Sequence, residues 1–210
     1  MTEFEIVSSV MELVTSSEGV TNTSLSPEQV ADEIDTLRIR MAAELDGRSL
    51  FRRPYQGFTQ TIKSLSVLKD SNRVSYLDIP RLAIQLNGEP ACLYIGGKDD
   101  KSPYRLVTGN LENYVHDHFI GKMPIAHYQE GRITFRNVAP QQIKLIAVFE
   151  DPSDLETYGD YDPETSEYPM PASMIDSLIG KTAESYLRAM YRIRPQPNTQ
   201  TDLPNAGPKS

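Results

Sequence analysis

The sequence predicts an α+β fold: two N-terminal helices, a central mostly antiparallel β-sheet or sandwich, a long C-terminal amphipathic helix and an extended tail. Three observations lead there. Two helical patterns with capping signals precede residue 47, the apolar period changes to two from Gly57, and an apolar stripe at three- and four-residue steps returns between Met174 and Tyr191. The divisions that follow are a helical segment over 1–47, a β-rich body over 48–150, an acidic loop over 151–171, a helix over 172–194 and a Pro-rich tail over 195–210.

The first helix opens on Thr2-Glu3-Phe4-Glu5, the spacing of a capping box, in which the Thr and Glu side chains satisfy each other's orphan backbone N–H groups. Ile6, Val7, Val10, Met11, Leu13 and Val14 make its apolar face, and Ser16-Ser17-Glu18-Gly19 ends it. Ser26-Pro27-Glu28-Gln29 repeats the device, with Pro27 at the first helical position, where the missing N–H costs nothing. The second helix carries Val30, Ile34, Leu37, Met41 and Leu45 on one stripe and stops at Gly47. Its acids (Asp32, Glu33, Asp35) come early and its bases (Arg38, Arg40) late, as the helix dipole favours, and these charges are expected on a solvated outer face.

Strands are expected over Thr59–Leu68, Arg73–Ile79, Arg81–Leu86, Ala91–Ile95, Tyr104–Val107, Ile125–Tyr128, Arg132–Asn137 and Ile143–Phe149. Asn87-Gly88 and Glu130-Gly131 are hairpin-turn candidates because glycine supplies the positive φ such turns require. Gly96 to Pro103 reads as a polar loop, either mobile or partner-facing. Pro169 and Pro171 fix φ ahead of the last helix, whose stripe is Met174, Ile175, Leu178, Ile179, Tyr186, Leu187, Met190 and Tyr191.

Composition removes several function classes. At 210 residues the chain can bury a real core, and its net charge of -8 with a pI near 4.9 argues against nonspecific nucleic-acid binding, which needs clustered Lys and Arg. An acidic surface lining a DNA channel is compatible with that charge, since repulsion keeps DNA mobile. No apolar run approaches the length of a membrane span, and no signal peptide is expected. Cys92, the one cysteine, lies in an apolar run and reads as an inert strand thiol with no disulfide partner.

Catalytic and cofactor patterns are weak. His116 and His118 are two apart and His127 stands alone, whereas zinc needs three or four ligands in a defined geometry. Asp160-Tyr161-Asp162-Pro163-Glu164 lacks the alternating ligands and central glycine of a calcium loop. Gly96-Gly97-Lys98 lacks the spacing of a phosphate loop, and adjacent acids such as Glu150 and Asp151 point to opposite sides of an extended chain. The expectation is a protein with no catalytic residue, no metal and no cofactor.

The most informative stretch runs from Val148 to Tyr191. Between Glu150 and Glu167 there are eight acids and no Lys or Arg, an excess equal to the net charge of the whole chain. Lys181, Arg188, Arg192 and Arg194 then make the C-terminal helix basic toward its end. Phe149-Glu150-Asp151-Pro152, the acidic Tyr-rich loop, Tyr168-Pro169-Met170-Pro171, the helix, and Asp202-x-Pro204-Asn205 in the tail together resemble the ring or head-to-tail connector proteins of crAss-like and related short-tailed phages. The likeness covers about the last third of the chain. It implies a structural virion protein made in the host cytoplasm, a homo-oligomeric ring of twelve subunits in the phage neck. It also implies the portal and neighbouring neck or tail proteins as partners, DNA passing through the channel without specific binding, and no membrane contact.

Interface candidates follow from the charge pattern and the tail. They are Glu150, Asp151, Asp154, Glu156, Asp160, Asp162 and Tyr168 on the loop, Lys181, Arg188, Arg192 and Arg194 on the helix, and Leu203 in the tail. Ordering a backbone costs roughly 1–2 kcal/mol per residue, so residues 195–210, nearly devoid of apolar side chains, are expected to order only across a neighbouring chain. The competing function class is a β-rich soluble binding module with an acidic recognition loop.

Overall fold

The structure, a computed structural model, describes residues 1–18, 25–48, 57–83, 88–98, 103–108 and 124–193. It is an α+β fold whose helices begin where the capping signals stand. Helix α1 spans Glu3–Glu18 and α2 spans Pro27–Arg48. At α1, Thr2 N–H donates to Glu5 Oε2 at 2.9 Å and Glu5 N–H to Thr2 Oγ1 at 3.3 Å. At α2, Gln29 N–H donates to Ser26 Oγ at 3.2 Å and Ser26 N–H to Gln29 Oε1 at 3.4 Å. Helix α3, Ala172–Ile193, follows the Tyr168–Pro171 stretch. Gly57 meets that stretch closely: a Cβ there would stand 2.5 Å from Pro171 Cγ, so only glycine fits without displacement.

Eight strands are described: β1 Gln60–Ser66, β2 Leu68–Lys69, β3 Ser75–Asp78, β4 Cys92–Gly96, β5 Arg105–Thr108, β6 Ile125–Gln129, β7 Arg132–Arg136 and β8 Gln142–Ala147. They form a three-stranded sheet in the order β1-β8-β4 and a five-stranded sheet in the order β2-β3-β7-β6-β5. Every pairing between them is antiparallel except β5 with β6. The turn Glu130-Gly131 joins β6 to β7 with φ of 45° and 84°, the positive pair that a tight hairpin demands. Sixteen residues separate β5 from β6, enough for the crossover that parallel pairing requires.

Two expected strands differ. The single strand over Thr59–Leu68 is two, because the chain turns a corner at Val67, whose N–H donates to the Gln141 carbonyl at 3.0 Å, and β1 and β2 enter different sheets. Alternation is blind to such a change of sheet. Over Arg81–Leu86 the described residues form no strand but one isolated bridge, Leu82 to Phe149, flanked by Ala83 N–H donating to the Val148 carbonyl and Glu150 N–H to the Arg81 carbonyl, both at 2.9 Å, and residues 84–87 lie outside the described set.

Two apolar cores result. One fills the space between the sheets and includes Ile62, Leu77, Ile133, Phe135, Ile143, Leu145 and Phe149. The other lies under α1, α2 and α3 and joins Ile6, Val10, Ile34 and Leu178 to Phe58, Ala83, Ala91 and Val148 of the β body. The N- and C-terminal helices therefore share one core. The end of β8 is their common wall, since successive side chains on an extended chain face opposite sides: Ala147 and Phe149 enter the first core and Val148 the second.

Candidate functional site

Beyond Phe149 the acidic stretch is a built structure rather than a free loop. A 3-10 helix spans Ser153–Tyr158, with Leu155 fully buried in the core between the sheets. Asp151 Oδ1 accepts from Ser153 N–H at 2.7 Å and Ser153 Oγ at 2.6 Å, tying the entry. Asp162 does the same further on, accepting from Glu164 N–H at 2.9 Å and Thr165 Oγ1 at 2.7 Å. Such side-chain bonds to nearby backbone are how Asp fixes a turn. Two interface candidates, Asp151 and Asp162, are thus occupied in shaping the segment. Asp154, Glu156 and Asp160 remain exposed along it, and Glu150 is half-buried.

Tyr168 is a correction: it is 2 % exposed, so it faces the protein's own interior and not a partner. Its burial follows from the cluster around Arg38, the residue that sequence reasoning had placed on a solvated face. Arg38 is 0 % exposed and is the only buried charged side chain among the described residues. Its Nη2 donates to the Phe149 carbonyl at 2.6 Å and the Glu150 carbonyl at 3.2 Å, and its Nε to Asp35 Oδ1 at 3.3 Å. Tyr168 Oη donates to the same Asp35 oxygen at 2.5 Å, and the Arg38 Cζ lies 5.7 Å from the Tyr168 ring centre. Alongside, Tyr161 Oη donates to Glu3 Oε2 at 3.0 Å, and Tyr168 N–H donates to the Met1 carbonyl at 3.0 Å. One cation, two carboxylates and two phenols thereby join α1, α2, the end of the sheet and both ends of the acidic segment.

Electrostatics there are dominated by burial. Desolvation pushes Asp35 up to about 7, against the pull of Arg38 and the Tyr168 hydrogen bond, with Glu3 and Asp151 raising it further. Burial also raises Glu3, opposed first by the Tyr161 hydrogen bond. Tyr161 and Tyr168 are raised by burial as well, so both stay neutral donors. The arrangement holds elements together. Its donors and acceptors are turned chiefly upon one another, and of the group Glu3 also borders an open groove between α1 and α2.

The signal for Arg38 was in the sequence. It stands four residues after Ile34 and three before Met41, on the apolar stripe itself, where an Arg must be buried with partners or break the stripe. Nothing local marked Glu3 or Tyr161, which meet across 158 positions of sequence.

On α3 the exposed bases have counter-charges on their own face. Arg188 pairs with Glu184 at 2.5 Å, and a shallow groove between α2 and α3 brings Lys181, Arg188 and Arg40 together with Glu33 and Glu184. The side chain of Arg192, and Arg194 and Leu203 altogether, lie outside the described residues, as do His116, His118 and most of the loop after Gly96. Burial pushes the Cys92 thiol up to about 12, where it is no nucleophile at neutral pH. Among the described residues no three His, Cys, Asp or Glu side chains are grouped to hold a metal ion, and no helix is long and apolar enough to cross a membrane.

Comparison of the chain with protein-family models and with curated proteins finds no match. What can be said of function rests on the residues and their geometry.

Proposed function

We propose that this chain is a structural virion protein that closes into a homo-oligomeric ring in a phage neck, between portal and tail, around the channel that DNA traverses. The observation that carries the reading is how the motif residues are used. Phe149, Pro152 and Tyr168, from the stretches that resemble the connector proteins, are buried, and the Phe149 and Glu150 carbonyls are clamped by Arg38. They are spent on architecture and leave a stiff acidic segment facing outward. In a head-to-tail interface Asp154, Glu156 and Asp160 of one subunit face Lys181 and Arg188 of the next, and such an interface closes when its rotation divides a full turn.

Mass photometry of the purified chain tests this. The expected species is a closed ring of twelve, dispersed by salt and by Lys181→Glu with Arg188→Glu. A chain that stays monomeric at all concentrations and in purified particles would sink the ring. In that case the exposed acids on the fixed 3-10 turn favour the recognition-loop reading, a module that binds a cationic partner.

A further inference from the structure

A groove of about 560 Å³ runs along the seam between α1 and α2. Its floor is apolar, with Val7, Met11, Ala31 and Pro27, and Phe4 stands at its edge 66 % exposed. Three carboxylates line it: Glu3, which is held by Tyr161, and Glu28 and Glu164, both exposed. Glu28 is kept below the usual carboxylate range by hydrogen bonds from its own backbone N–H and the Ser26 hydroxyl, so it is charged at neutral pH. The far wall, Pro163 and Glu164, belongs to the acidic segment. The ligand such a groove takes is a short extended peptide with small apolar groups and a cation, and low in acids.

The chain contains one such segment beyond α3. Residues 194–210 have Arg194 at one end and Lys209 near the other, a single acid, Asp202, four prolines, and Leu203 as the lone large aliphatic side chain. The floor from Val7 to Met11 spans only about 6 Å of helix, and with the side chains around it accommodates a few residues at about 3.1 Å each in a proline-favoured extended form. Leu203-Pro204 fits that length. Seventeen residues can reach at most about 56–60 Å, ample to cross from one subunit to the next.

We infer that the α1–α2 groove is the receptor for the C-terminal tail of a neighbouring copy, with Leu203 and Pro204 on the apolar floor and Lys209 against Glu28 and Glu164. The choice of a neighbour as donor rests on the ring reading. Proline lowers the ordering cost by restricting the free tail beforehand, and the apolar floor supplies the burial that the tail lacks by itself.

Cross-linking between two singly substituted full-length chains tests it, Ser8→Cys at the groove and Asn205→Cys in the tail, mixed under mild oxidation, with mass photometry on the same samples. A link between the two chains is expected, reduced at least tenfold by Glu28→Lys and recovered when the tail carries Lys209→Glu. Rings that form without this link overturn the inference and leave the ring reading standing. A link between chains in particles that are not rings does the reverse. A link found only within a doubly substituted chain makes the groove a seat for its own tail and overturns the inference, and monomers with no link overturn both.

Discussion

The two cores of this protein differ in how they close. The core between the sheets is closed mainly by aliphatic and aromatic groups, with Ile133, Ile143 and Leu145 at 0 % exposure, and its phenols are satisfied at the edge, Tyr128 Oη accepting from Leu82 N–H and Tyr161 Oη donating to Glu3. The core under the helices ends against Arg38, a cation whose Nη1 has no hydrogen-bond partner among the described residues and whose other nitrogens hold two carbonyls and one carboxylate. An apolar core responds to volume and is indifferent to pH. A core closed by a buried ion responds to the loss of any partner, because what remains is an uncompensated charge or an orphaned polar group. The difference places the protein's sensitive point at the joint between helices and sheet, the same joint that fixes the acidic segment.

The largest expected effect is at the joint. Arg38→Ala removes the donor for the Phe149 and Glu150 carbonyls and strands Asp35, and losing one member of a buried pair costs about 3–5 kcal/mol. Arg38→Met should recover part of that by filling the space, while the carbonyls stay unsatisfied. Urea unfolding followed by circular dichroism measures both. A loss below about 1 kcal/mol for Arg38→Ala would mean the joint is not where the layers are tied. Next comes Leu145→Ala in the apolar core, with a cost of about 2–5 kcal/mol set by the cavity it leaves. That loss should be equal at pH 5 and pH 8. A pH-dependent loss would show that the two cores are coupled more closely than their packing implies.

How far the sequence told this in advance divides along the same line. Local signals were readable: both capping boxes form as paired hydrogen bonds, Glu130-Gly131 makes its turn, and six of the eight period-two runs become strands within a residue or two. Each depends on groups a few positions apart. The corner at Val67 was not readable, because alternation continues through it while the partner strand changes. The joint was hidden for a similar reason. Arg38 meets Phe149 across 111 positions and Glu3 meets Tyr161 across 158, and a helix wheel shows only that Arg38 falls on the buried stripe. The acidic neighbourhood of Tyr168 points to a partner-facing group, yet its ring lies against Arg38.

The pH response sharpens the contrast further. Asp35 titrates near 7 in the fold against 3.8 in the free side chain, so the folded protein holds a proton that the unfolded chain releases. The stability contributed is fully present below pH 3.8 and is lost as pH rises through about 7. At about 1.4 kcal/mol per pH unit this amounts to roughly 2 kcal/mol between pH 5 and pH 7. Asp35→Asn keeps an oxygen for Tyr168 and should flatten this decline, leaving a smaller slope from Glu3, which burial also raises. Unfolding free energies at pH 5, 6, 7 and 8 decide the matter, and an unchanged slope in Asp35→Asn would assign the proton elsewhere.

The smallest effect separates the two helix starts. Thr2→Ala and Ser26→Ala each remove one capping hydrogen bond of nearly equal length and should each cost about 1 kcal/mol. Their surroundings differ. Thr2 precedes Glu3, whose carboxylate accepts from Tyr161, and it follows Met1, whose carbonyl accepts from Tyr168, so the α1 cap holds the joint in register. Ser26 caps α2 beside the groove and touches none of those groups. Combining each substitution with Tyr161→Phe should therefore give additive losses for Ser26→Ala and a coupling of about 0.5 kcal/mol or more for Thr2→Ala. If both pairs are additive, α1 is merely docked on the joint. If Ser26 couples as strongly as Thr2, the helical layer answers as one unit, and the distinction between its two caps has no energetic content.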